Sequence, residues 1–525
     1  MAEKQTSPIA EHVGNYINQM YLWNSNAAFY ALATPYLVQF YQYQVRTWDW
    51  WNTGYVPGFH SEVLGLIPSG KARSICHKVA ELINGEGVIY KSRDKTLKNN
   101  PALDFISNKF EPRVGLRSKY KDAILKSVTL GNALIKVNAD EKADLWVDVI
   151  AGNRFFVDLD SKGNVVASRV YVNIFTTGLQ QVGGSQRSFG LMEERYWKDV
   201  EETDVFGNIT VVRKPVVCYR IYEMGTVANV FTPNASNTSL SYKELPRKVQ
   251  NEFRDNYGDV QLGEEQYLPL VDLGVYLCKH TEYVATMPNI KLGESCLSSI
   301  LNFLMKYDTI FSEEYNELYL SRAKVIVPQY MAKGSQNKLG GGYDGFVFTK
   351  VPTMSDKDQT PVVLSPKMRT ADFVKSKEDC CKEIANNLGY SIASLFDGIS
   401  DNRGLVTARQ ISSEESMTVL VVNNKREILR KAFNDLMNCI TKFYGYMDEV
   451  EVTWLPAGAT NRTQVVENIT KLKNAGLVSD EDALRELNPT DNELQIEHKL
   501  EQVKADAVDV ETPTEEAYRQ GSERP

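Results

Sequence analysis

A helical pattern of nearly forty residues in the last quarter of the chain restricts the possible folds more than any other feature. Its apolar residues recur at three- and four-residue intervals, at Leu429, Phe433, Leu436, Ile440 and Phe443. This spacing predicts one helix from about Thr407 to Tyr444. Because an average globular helix has only about 11–12 residues, a helix of this length is typical of an extended or oligomeric frame.

Two further helices are predicted upstream of it. The first has about eight turns and begins near Gly293, and the second covers about Thr370 to Leu395, with Gly389 as an unfavourable residue inside it. Short apolar segments between these helices predict strands at Val325–Pro328, Phe346–Lys350 and Thr360–Leu364.

The amino-terminal half mixes helices with alternating strands. We predict helices at Ala72–Leu82 and Leu116–Thr129, strands at Ala133–Val137, Leu145–Ile150 and Val165–Val172, and a hairpin of Glu193–Val200 with Ile209–Val217. Near the carboxyl end, a strand at Glu449–Leu455 precedes two helices, and Ser479 with Asp482 forms the capping pattern of the second. The fold class is therefore predicted to be α+β.

Composition excludes several classes of protein. The 525 residues carry a net charge of -8, which argues against a protein that grips nucleic acid by bulk positive charge. No apolar stretch approaches the roughly 20 residues of a membrane span. The seven cysteines form no Cys-x-x-Cys pair, and the five histidines form no metal-binding motif, so we expect packed, reduced thiols and neither metal nor cofactor.

Aromatic residues are concentrated in residues 16–51. A platform for stacking nucleic-acid bases would need interleaved basic residues, but Arg46 is the only Lys or Arg in this window. We therefore expect these rings to serve core packing and protein interfaces.

One segment has the spacing of a phosphate-binding loop, Gly65-Leu-Ile-Pro-Ser-Gly-Lys71, and a predicted helix follows it. The next residue is Ala72, which has no hydroxyl for Mg²⁺, and the preceding segment is a poor strand. A turn leading into a helix is the favoured interpretation, and a nucleotide-driven enzyme is the alternative.

Several ordered motifs resemble the portal protein family of tailed double-stranded DNA bacteriophages. Gly293-Glu-Ser295 precedes the long helix that carries Asp308, and Arg322-Ala-Lys-Val-Ile-Val-Pro328 follows it. Similar motifs stand at 48–54, 71–83, 407–414 and 475–483, although Arg409 and Gln410 replace the family's Thr and Glu. The resemblance covers about residues 45–505.

The resemblance implies a portal-type α+β subunit that assembles as a ring, with a long kinked helix. The implied parts are a wing (1–292), a stem helix (293–321), a clip (322–368), a second stem helix (369–396), a tunnel loop (397–407), a long helix with a return strand (408–457), a helical crown (458–505) and a disordered acidic tail (506–525).

The same resemblance implies a ring, usually of twelve subunits, at one capsid vertex of the virion. Double-stranded DNA would pass through it, driven by the terminase large subunit, and the ring would contact capsid or scaffolding protein and a head-completion or tail adaptor protein. Assembly would occur in the host cytoplasm, without hydrolysis by the portal itself. A capsid adaptor other than a portal is a further alternative.

Eight residues of the implied tunnel loop and clip are candidate residues of the DNA channel. The candidates of the tunnel loop and its flanks are Asp397, Ser400, Asn402, Arg403 and Arg409, and those of the clip, for DNA or a protein partner, are Lys333, Lys338 and Lys350. Each contact between a cation and a phosphate gains from counterion release and resists sliding. An acidic subunit therefore suits a conduit through which DNA has to move.

Overall fold

The computed structural model of the chain describes residues 45, 47–54, 56, 60, 66–93, 100–139, 144–176, 188–203, 209–227, 230–233, 240–257, 260–285, 291–321, 324–328, 348–351, 362–364, 368–396, 408–455, 462–476, 478–487 and 496–504. The chain divides into two compact units. Unit 1 contains Met1–His77 and Cys296–Thr418, and unit 2 contains Lys78–Ser295 and Val419–Pro525.

The described helices lie in both units. They are α1 (47–53), α2 (Lys71–Asn84), α3 (Pro101–Phe105), α4 (Glu111–Val114), α5 (Leu116–Leu130), α6 (Arg247–Tyr257), α7 (Leu301–Leu320), α8 (Thr370–Leu388), α9 (Ile392–Leu395), α10 (Ala408–Phe443), α11 (Arg462–Asn474), α12 (Asp480–Leu487) and α13 (496–504). No helix within these residues is long and apolar enough to cross a membrane.

The described strands form four sheets. They are β1 (Val88–Ser92), β2 (Asn132–Ala139), β3 (Leu145–Ala151), β4 (Phe155–Leu159), β5 (Val165–Thr176), β6 (Ser188–Thr203), β7 (Ile209–Val227), β8 (Val230–Pro233), β9 (Glu265–Tyr267), β10 (Val275–Lys279), β11 (Lys324–Pro328), β12 (Phe348–Val351), β13 (Val362–Leu364) and β14 (Val450–Trp454). The predicted α+β class is confirmed.

Unit 2 is built on antiparallel sheets. Its largest sheet has the order β4-β5-β6-β7-β8, with β9 paired to β7, and a second sheet has the order β10-β2-β3. The predicted hairpin is confirmed and is longer than expected, because β6 and β7 pair without a break from Ser188 opposite Met224 to Thr203 opposite Ile209. Apolar side chains of this hairpin, such as Phe189 and Ile221, pack with Val249 and Phe253 of α6.

A buried network of charges lies in the core of unit 2. The Glu193 carboxylate accepts hydrogen bonds from Lys136 Nζ and Arg195 Nε, each at 2.7 Å. The Arg195 guanidinium also donates to the backbone oxygens of Val137 (2.7 Å) and Leu273 (3.0 Å). Burial raises the pKa of Glu193, but the charges of Arg195 and Lys136 outweigh that effect and hold it below its ordinary value.

The long helix α10 confirms the prediction almost to the residue. Its 36 residues span about 54 Å, and its part in unit 2 is anchored by several contacts. The ring centres of Phe433 and of Tyr120 on α5 lie 4.2 Å apart. Buried Arg426 donates to the backbone oxygens of Ile83 and Leu455, each at 2.8 Å. The nearby pair of β1 with β14 is also antiparallel.

Unit 1 contains a pair of antiparallel helices, α7 and α8, with a small sheet between them in the chain. The Arg369 guanidinium, just before α8, donates to Glu317 near the end of α7 at 2.6 Å, and Lys377 donates to Glu314 at 2.6 Å. The sheet has the order β12-β11-β13, with β11 parallel to β12 and antiparallel to β13. These three strands confirm the strands predicted between the helices.

Two predicted helix boundaries are wrong. The helix expected to begin near Gly293 begins at Leu301, after a short 3₁₀ turn at Ser298–Ile300. Gly293 is held outside the helix because its backbone N–H donates to Asn132 Oδ1 at 2.8 Å. Its own Cα lies so close to Gly131 that an added Cβ would fall 2.3 Å from the Gly131 carbonyl oxygen.

The second wrong boundary is the end of α8, which stops at Leu388 instead of continuing to Leu395. Gly389 adopts a left-handed conformation (φ +74°) and caps the helix. The Tyr390 N–H donates to the Ala385 oxygen, and the Gly389 N–H donates to the Asn386 oxygen, each at 3.1 Å. This is a Schellman cap, so the unfavourable glycine ends the helix and the short α9 follows it.

The cysteines and tryptophans behave as expected where they are described. All seven cysteines are buried and none forms a disulfide. Trp48 and Trp51 are almost fully buried, which confirms a packing role for these two rings. Residues 16–44 of the aromatic window, Arg46 and the predicted tail (506–525) lie outside the described residues.

Candidate functional site

The segment with phosphate-loop spacing is closed by an acidic side chain. Asp308, in the second turn of α7, is buried in unit 1. Its Oδ1 accepts hydrogen bonds from the Ser69 backbone N–H (3.3 Å) and from the Ser69 hydroxyl. A phosphate-binding loop has to leave its backbone N–H groups free for the ligand. Here a carboxylate of the protein itself accepts from the loop.

His60 completes this cluster. Its Nδ1 accepts from the Val56 backbone N–H at 2.8 Å, so Nε2 carries the proton and donates to Asp308 Oδ2 at 2.9 Å. The ring of His60 also meets the ring of Trp51 edge-on, with centroids 5.7 Å apart. His60, Ser69 and Asp308 therefore form a closed set of hydrogen bonds that joins His60 and Ser69 to α7.

Three further polar groups of the described part of the loop are also engaged. The Ile67 N–H donates to the Ser312 hydroxyl at 2.9 Å, and the Lys71 N–H donates to Ser69 Oγ at 3.2 Å. The Lys71 ammonium lies 4.4 Å from the centre of the Phe396 ring and 5.7 Å from that of Tyr307, which are cation–π distances. Burial raises the pKa of Tyr307 to about 12, so this phenol stays neutral near pH 7.

These contacts decide the chemistry of the segment. A phosphate entering here would meet the Asp308 carboxylate, and Lys71 is directed at aromatic rings. The negative charges of the phosphate and of the buried Asp308 carboxylate would repel each other strongly. The favoured prediction, a turn leading into a helix, is therefore confirmed, and α2 begins at Lys71 itself. Among the described residues, no group of three or more His, Cys, Asp or Glu side chains could hold a metal ion.

The predicted DNA-contacting residues lie mostly beyond the described part of the chain. Asp397, Ser400, Asn402, Arg403, Lys333 and Lys338 are outside the described residues. Lys350 lies on β12, with its backbone opposite Val327 of β11, and Arg409 is the second residue of α10. The structure therefore places two of these eight residues on secondary-structure elements.

The two flanks of the predicted tunnel loop are tied to each other within unit 1. Ser391, which caps α9, donates its backbone N–H to the hydroxyl of Thr418 on α10 at 2.9 Å. Phe396, the last described residue before the loop, contacts Lys71. The chain is thus anchored within unit 1 at Phe396 and at Thr418, which lie on either side of residues 397–407 in sequence.

The motif Gly293-Glu-Ser295 also has a structural reason in unit 2. The Ser295 hydroxyl donates to the Thr129 oxygen at 2.6 Å, and Asn132 Nδ2 donates to the Gly293 oxygen at 3.2 Å. Glycine is required at position 293 because any side chain would collide with Gly131. The motif therefore fixes the path of residues 293–295 within unit 2.

Comparison with known proteins decides the family. The family model for phage portal protein of the SPP1 Gp6-like kind matches residues 65–509. The chain belongs to the phage portal protein family. As a portal protein it forms the channel at a capsid vertex, and neither the nucleotide-driven enzyme nor the adaptor other than a portal is favoured. The portal family is structural. None of the curated proteins matches the chain.

Solved structures resemble this portal protein at low identity. The neck of an empty gene transfer agent particle, computed with C6 symmetry, is 12% identical with a TM-score of 0.41, and covers 80% of this chain and 90% of that chain. The virion of a native gene transfer agent particle is 11% identical with a TM-score of 0.39, and covers 80% and 89%.

Sequence reasoning missed the His60–Ser69–Asp308 cluster. The signals that could have found it were present, since Asp308 stood in a family motif and Ser69 in the apparent phosphate loop. Nothing in the spacing connected the two, because they are 239 residues apart.

Proposed function

We propose that this portal protein is a passive conduit for double-stranded DNA, which a separate terminase motor moves through a ring of twelve subunits. The observation that carries the passive role is the closure of the Gly65–Lys71 segment by Asp308. A subunit that hydrolysed nucleotide at this segment would need the donors that Asp308 occupies. Virion localisation after assembly in the host cytoplasm follows from the same proposal.

The parts of the subunit fit this role. We assign the stem to α7 and α8, the clip to the sheet of β11, β12 and β13, and the tunnel loop to residues 397–407. The wing corresponds to the sheets of unit 2 together with the long helix and its return strand, and the crown to the helices after residue 461. The anchors of α7 against α8 support a stem that keeps its shape, because Glu317 accepts hydrogen bonds from both Nε and Nη2 of the Arg369 side chain.

Ring assembly is supported by apolar side chains on the stem helices. Tyr315 and Leu318 of α7 are 58% and 54% exposed, and Val374 of α8 is 43% exposed, in the single chain. Exposed apolar side chains of this kind, two of them three residues apart on α7 and one on α8, are stabilised when a neighbouring subunit covers them. We assign this surface to contact between subunits.

Few cations are assigned to the DNA path. Arg403 and Arg409 would touch phosphates at the tunnel loop, and Lys333, Lys338 and Lys350 would touch DNA or a docked protein at the clip. The terminase large subunit and the head-completion or tail adaptor protein would dock at the clip, and capsid or scaffolding protein at the wing. An acidic subunit with few such contacts keeps the resistance to sliding low.

Electron microscopy of the purified protein tests the ring, and packaging tests the loop. We expect ring-shaped particles from the wild-type chain and from a variant lacking residues 400–403, with DNA packaging impaired only in the variant. Packaging at the wild-type rate would remove the role of the loop. Monomers without rings, in the presence of assembly partners, would contradict the conduit.

A nucleotide assay tests the passive role separately. We expect no ATP turnover by the isolated protein, and no change in packaging with terminase supplied when Lys71→Met preserves ring assembly. ATP turnover by the wild-type ring that Lys71→Met abolishes would support an enzyme instead. A matched control is Lys121→Met, an exposed lysine on α5.

A further inference from the structure

A groove in unit 2 gathers three lysines at one turn. It has a volume of about 1100 Å³ and is lined by the turn between β4 and β5, by β10 and by the outer face of α10. Lys279 lies on β10, Lys431 lies on α10, and Lys291 lies between them in the chain outside any helix or strand. Lys291 contacts the Ser161 backbone, Lys431 contacts Asn164, and Lys279 contacts the Lys291 backbone close to Gly163. This convergence is a property of the tertiary fold, because the three positions span 153 residues of sequence.

The ammonium groups are held by neutral oxygens. Lys431 Nζ donates to Asn164 Oδ1 at 2.6 Å, Lys279 Nζ donates to the Lys291 backbone oxygen at 3.2 Å, and Lys291 Nζ donates to the Ser161 backbone oxygen. Among the described residues, no carboxylate forms an ion pair with any of the three. Asp160, at the same turn, is occupied by hydrogen bonds from Lys162 N and Asn164 N, each at 2.8 Å.

The cluster is electrostatically strained. Burial lowers the pKa of Lys279, the neighbouring charges of Lys431 and Lys291 lower it further, and Glu282 only partly opposes them. Three cations drawn together without a paired carboxylate repel one another, and a bound anion would relieve that repulsion.

The rest of the groove defines what kind of anion fits. Apolar side chains such as Leu277 and Ile428 line it, and a second group of opposite charge contains Asp272 and Asp435. Burial and the charge of Asp272 raise the pKa of Asp435, while Lys431 lowers it. A continuous phosphate backbone would be repelled by these carboxylates. A peptide with acidic, apolar and a few basic side chains would match both groups.

The chain itself carries such a peptide. Residues 505–525 contain six acidic residues, two arginines and the apolar Val508, Val510 and Tyr518. Most of the acidic residues, from Asp506 to Glu516, precede Arg519 and Arg524 in sequence. The segment follows α13 and spans at most about 70 Å when extended.

We propose that the acidic segment 505–525 of a copy of this chain binds in the groove, with its carboxylates on Lys279, Lys291 and Lys431. The arginines of the segment then face Asp272 and Asp435. The interaction involves only unit 2 and this segment, so it does not depend on the ring or on the role of the tunnel loop.

Limited proteolysis of the full-length protein tests the proposal. Chymotrypsin cleaves after Tyr518, and its initial rate there, followed by intact-mass spectrometry, reports how often the segment is released. We expect the variant Lys291→Glu/Lys431→Glu to be cleaved several-fold faster than wild type. The matched control Lys109→Glu/Lys121→Glu changes the charge equally at exposed positions of the same unit and should be cleaved at the wild-type rate.

A charge exchange separates direct contact from misfolding. Adding Asp509→Lys/Glu511→Lys to the lysine variant should restore the slow cleavage, which a misfolded groove could not do. Equal rates in all the proteins, or faster cleavage that the exchange fails to reverse, would overturn the proposal.

Cross-linking identifies the occupant. With benzoylphenylalanine at exposed position 162, beside the groove, irradiation of the purified protein should give products with residues 505–525. Mixing isotopically labelled and unlabelled copies then shows whether the segment comes from the same chain or a neighbour. Products only with other segments, or duplex DNA binding that requires the same three lysines, would overturn the assignment.

Discussion

Replacing Asp308 by asparagine tests the closed cluster of unit 1 most directly. The two residues have nearly the same shape, so the change removes one acceptor oxygen and the negative charge without creating a cavity. The aspartate accepts from His60 Nε2 at 2.9 Å and from both the backbone and the side chain of Ser69. Asparagine has one acceptor oxygen, which can face either His60 or Ser69. Its NH₂ group then faces a donor on the opposite side.

No rearrangement of the neighbours restores every bond. If the asparagine NH₂ group points towards His60, Nε2 of the imidazole has to accept and the proton has to move to Nδ1. The Nδ1–H would then face the Val56 N–H, which in the wild type donates to Nδ1. If the amide points towards Ser69, the hydroxyl can rotate to accept, but the Ser69 N–H loses its acceptor. A hydrogen bond to a charged group contributes about 1.5–3 kcal/mol, and a buried unsatisfied donor costs about 1–3 kcal/mol. We expect a loss of about 2–3 kcal/mol.

Hydrogen exchange measures this loss locally, since two units need not unfold together. The amides of Val56, His60 and residues 66–71 should exchange roughly 30- to 140-fold faster in Asp308→Asn, because each 1.4 kcal/mol is tenfold. The control Asp122→Asn removes an exposed i, i+4 pair with Lys126 in unit 2. It should cost about 0.5 kcal/mol or less. Equal protection of these amides in both variants would refute the assigned hydrogen bonds.

Two further predictions concern unit 2. The pKa of Glu193 is lower in the folded protein, so the ionised carboxylate stabilises the fold at pH values above the ordinary pKa of 4.5, and this stabilisation is lost as the pH falls through the folded pKa. The urea midpoint should therefore fall on acidification below about pH 4.5. Glu193→Gln should remove the part of this pH dependence that comes from Glu193. Gly131→Ala should lower the free energy of unfolding by at least about 3 kcal/mol, because the residue has φ +80° and the new Cβ would lie 2.5 Å from the Gly293 oxygen. The control Gly263→Ala has the same φ but no atom within 4 Å of its new Cβ, so it should lower that free energy by only about 1 kcal/mol. Thermal denaturation measures both losses. Equal losses at the two glycines would show that the backbone contact with Gly293 has no effect.

Local patterns explain what sequence reasoning obtained correctly. The helix Ala408–Phe443 and the hairpin of β6 and β7 are specified by periodicities that repeat every few residues. The capping pair is equally local, and Ser479 Oγ accepts from the Asp482 N–H at 3.1 Å as predicted. The order of the family motifs gave the portal identity, because it preserves spacing along most of the chain.

The errors arose where a distant partner decides the outcome. The start of α7 was placed too early because the turn at Gly293 is set by Asn132 and Gly131 in another element. The candidate DNA contacts stay predictions, because their positions depend on how copies of the chain are arranged around DNA.

The sequence by itself determined the α+β class, the long helix, most of the strands and the portal family, since each is written in residues close together or in an ordered set of motifs. Only the tertiary structure decided that Asp308 closes the apparent phosphate loop, that β1 pairs with β14, and that three lysines meet at residues 161–164. The physical reason is that hydrogen bonds and charges act over a few ångströms in space. Sequence spacing cannot reveal which groups the folded chain brings within that range.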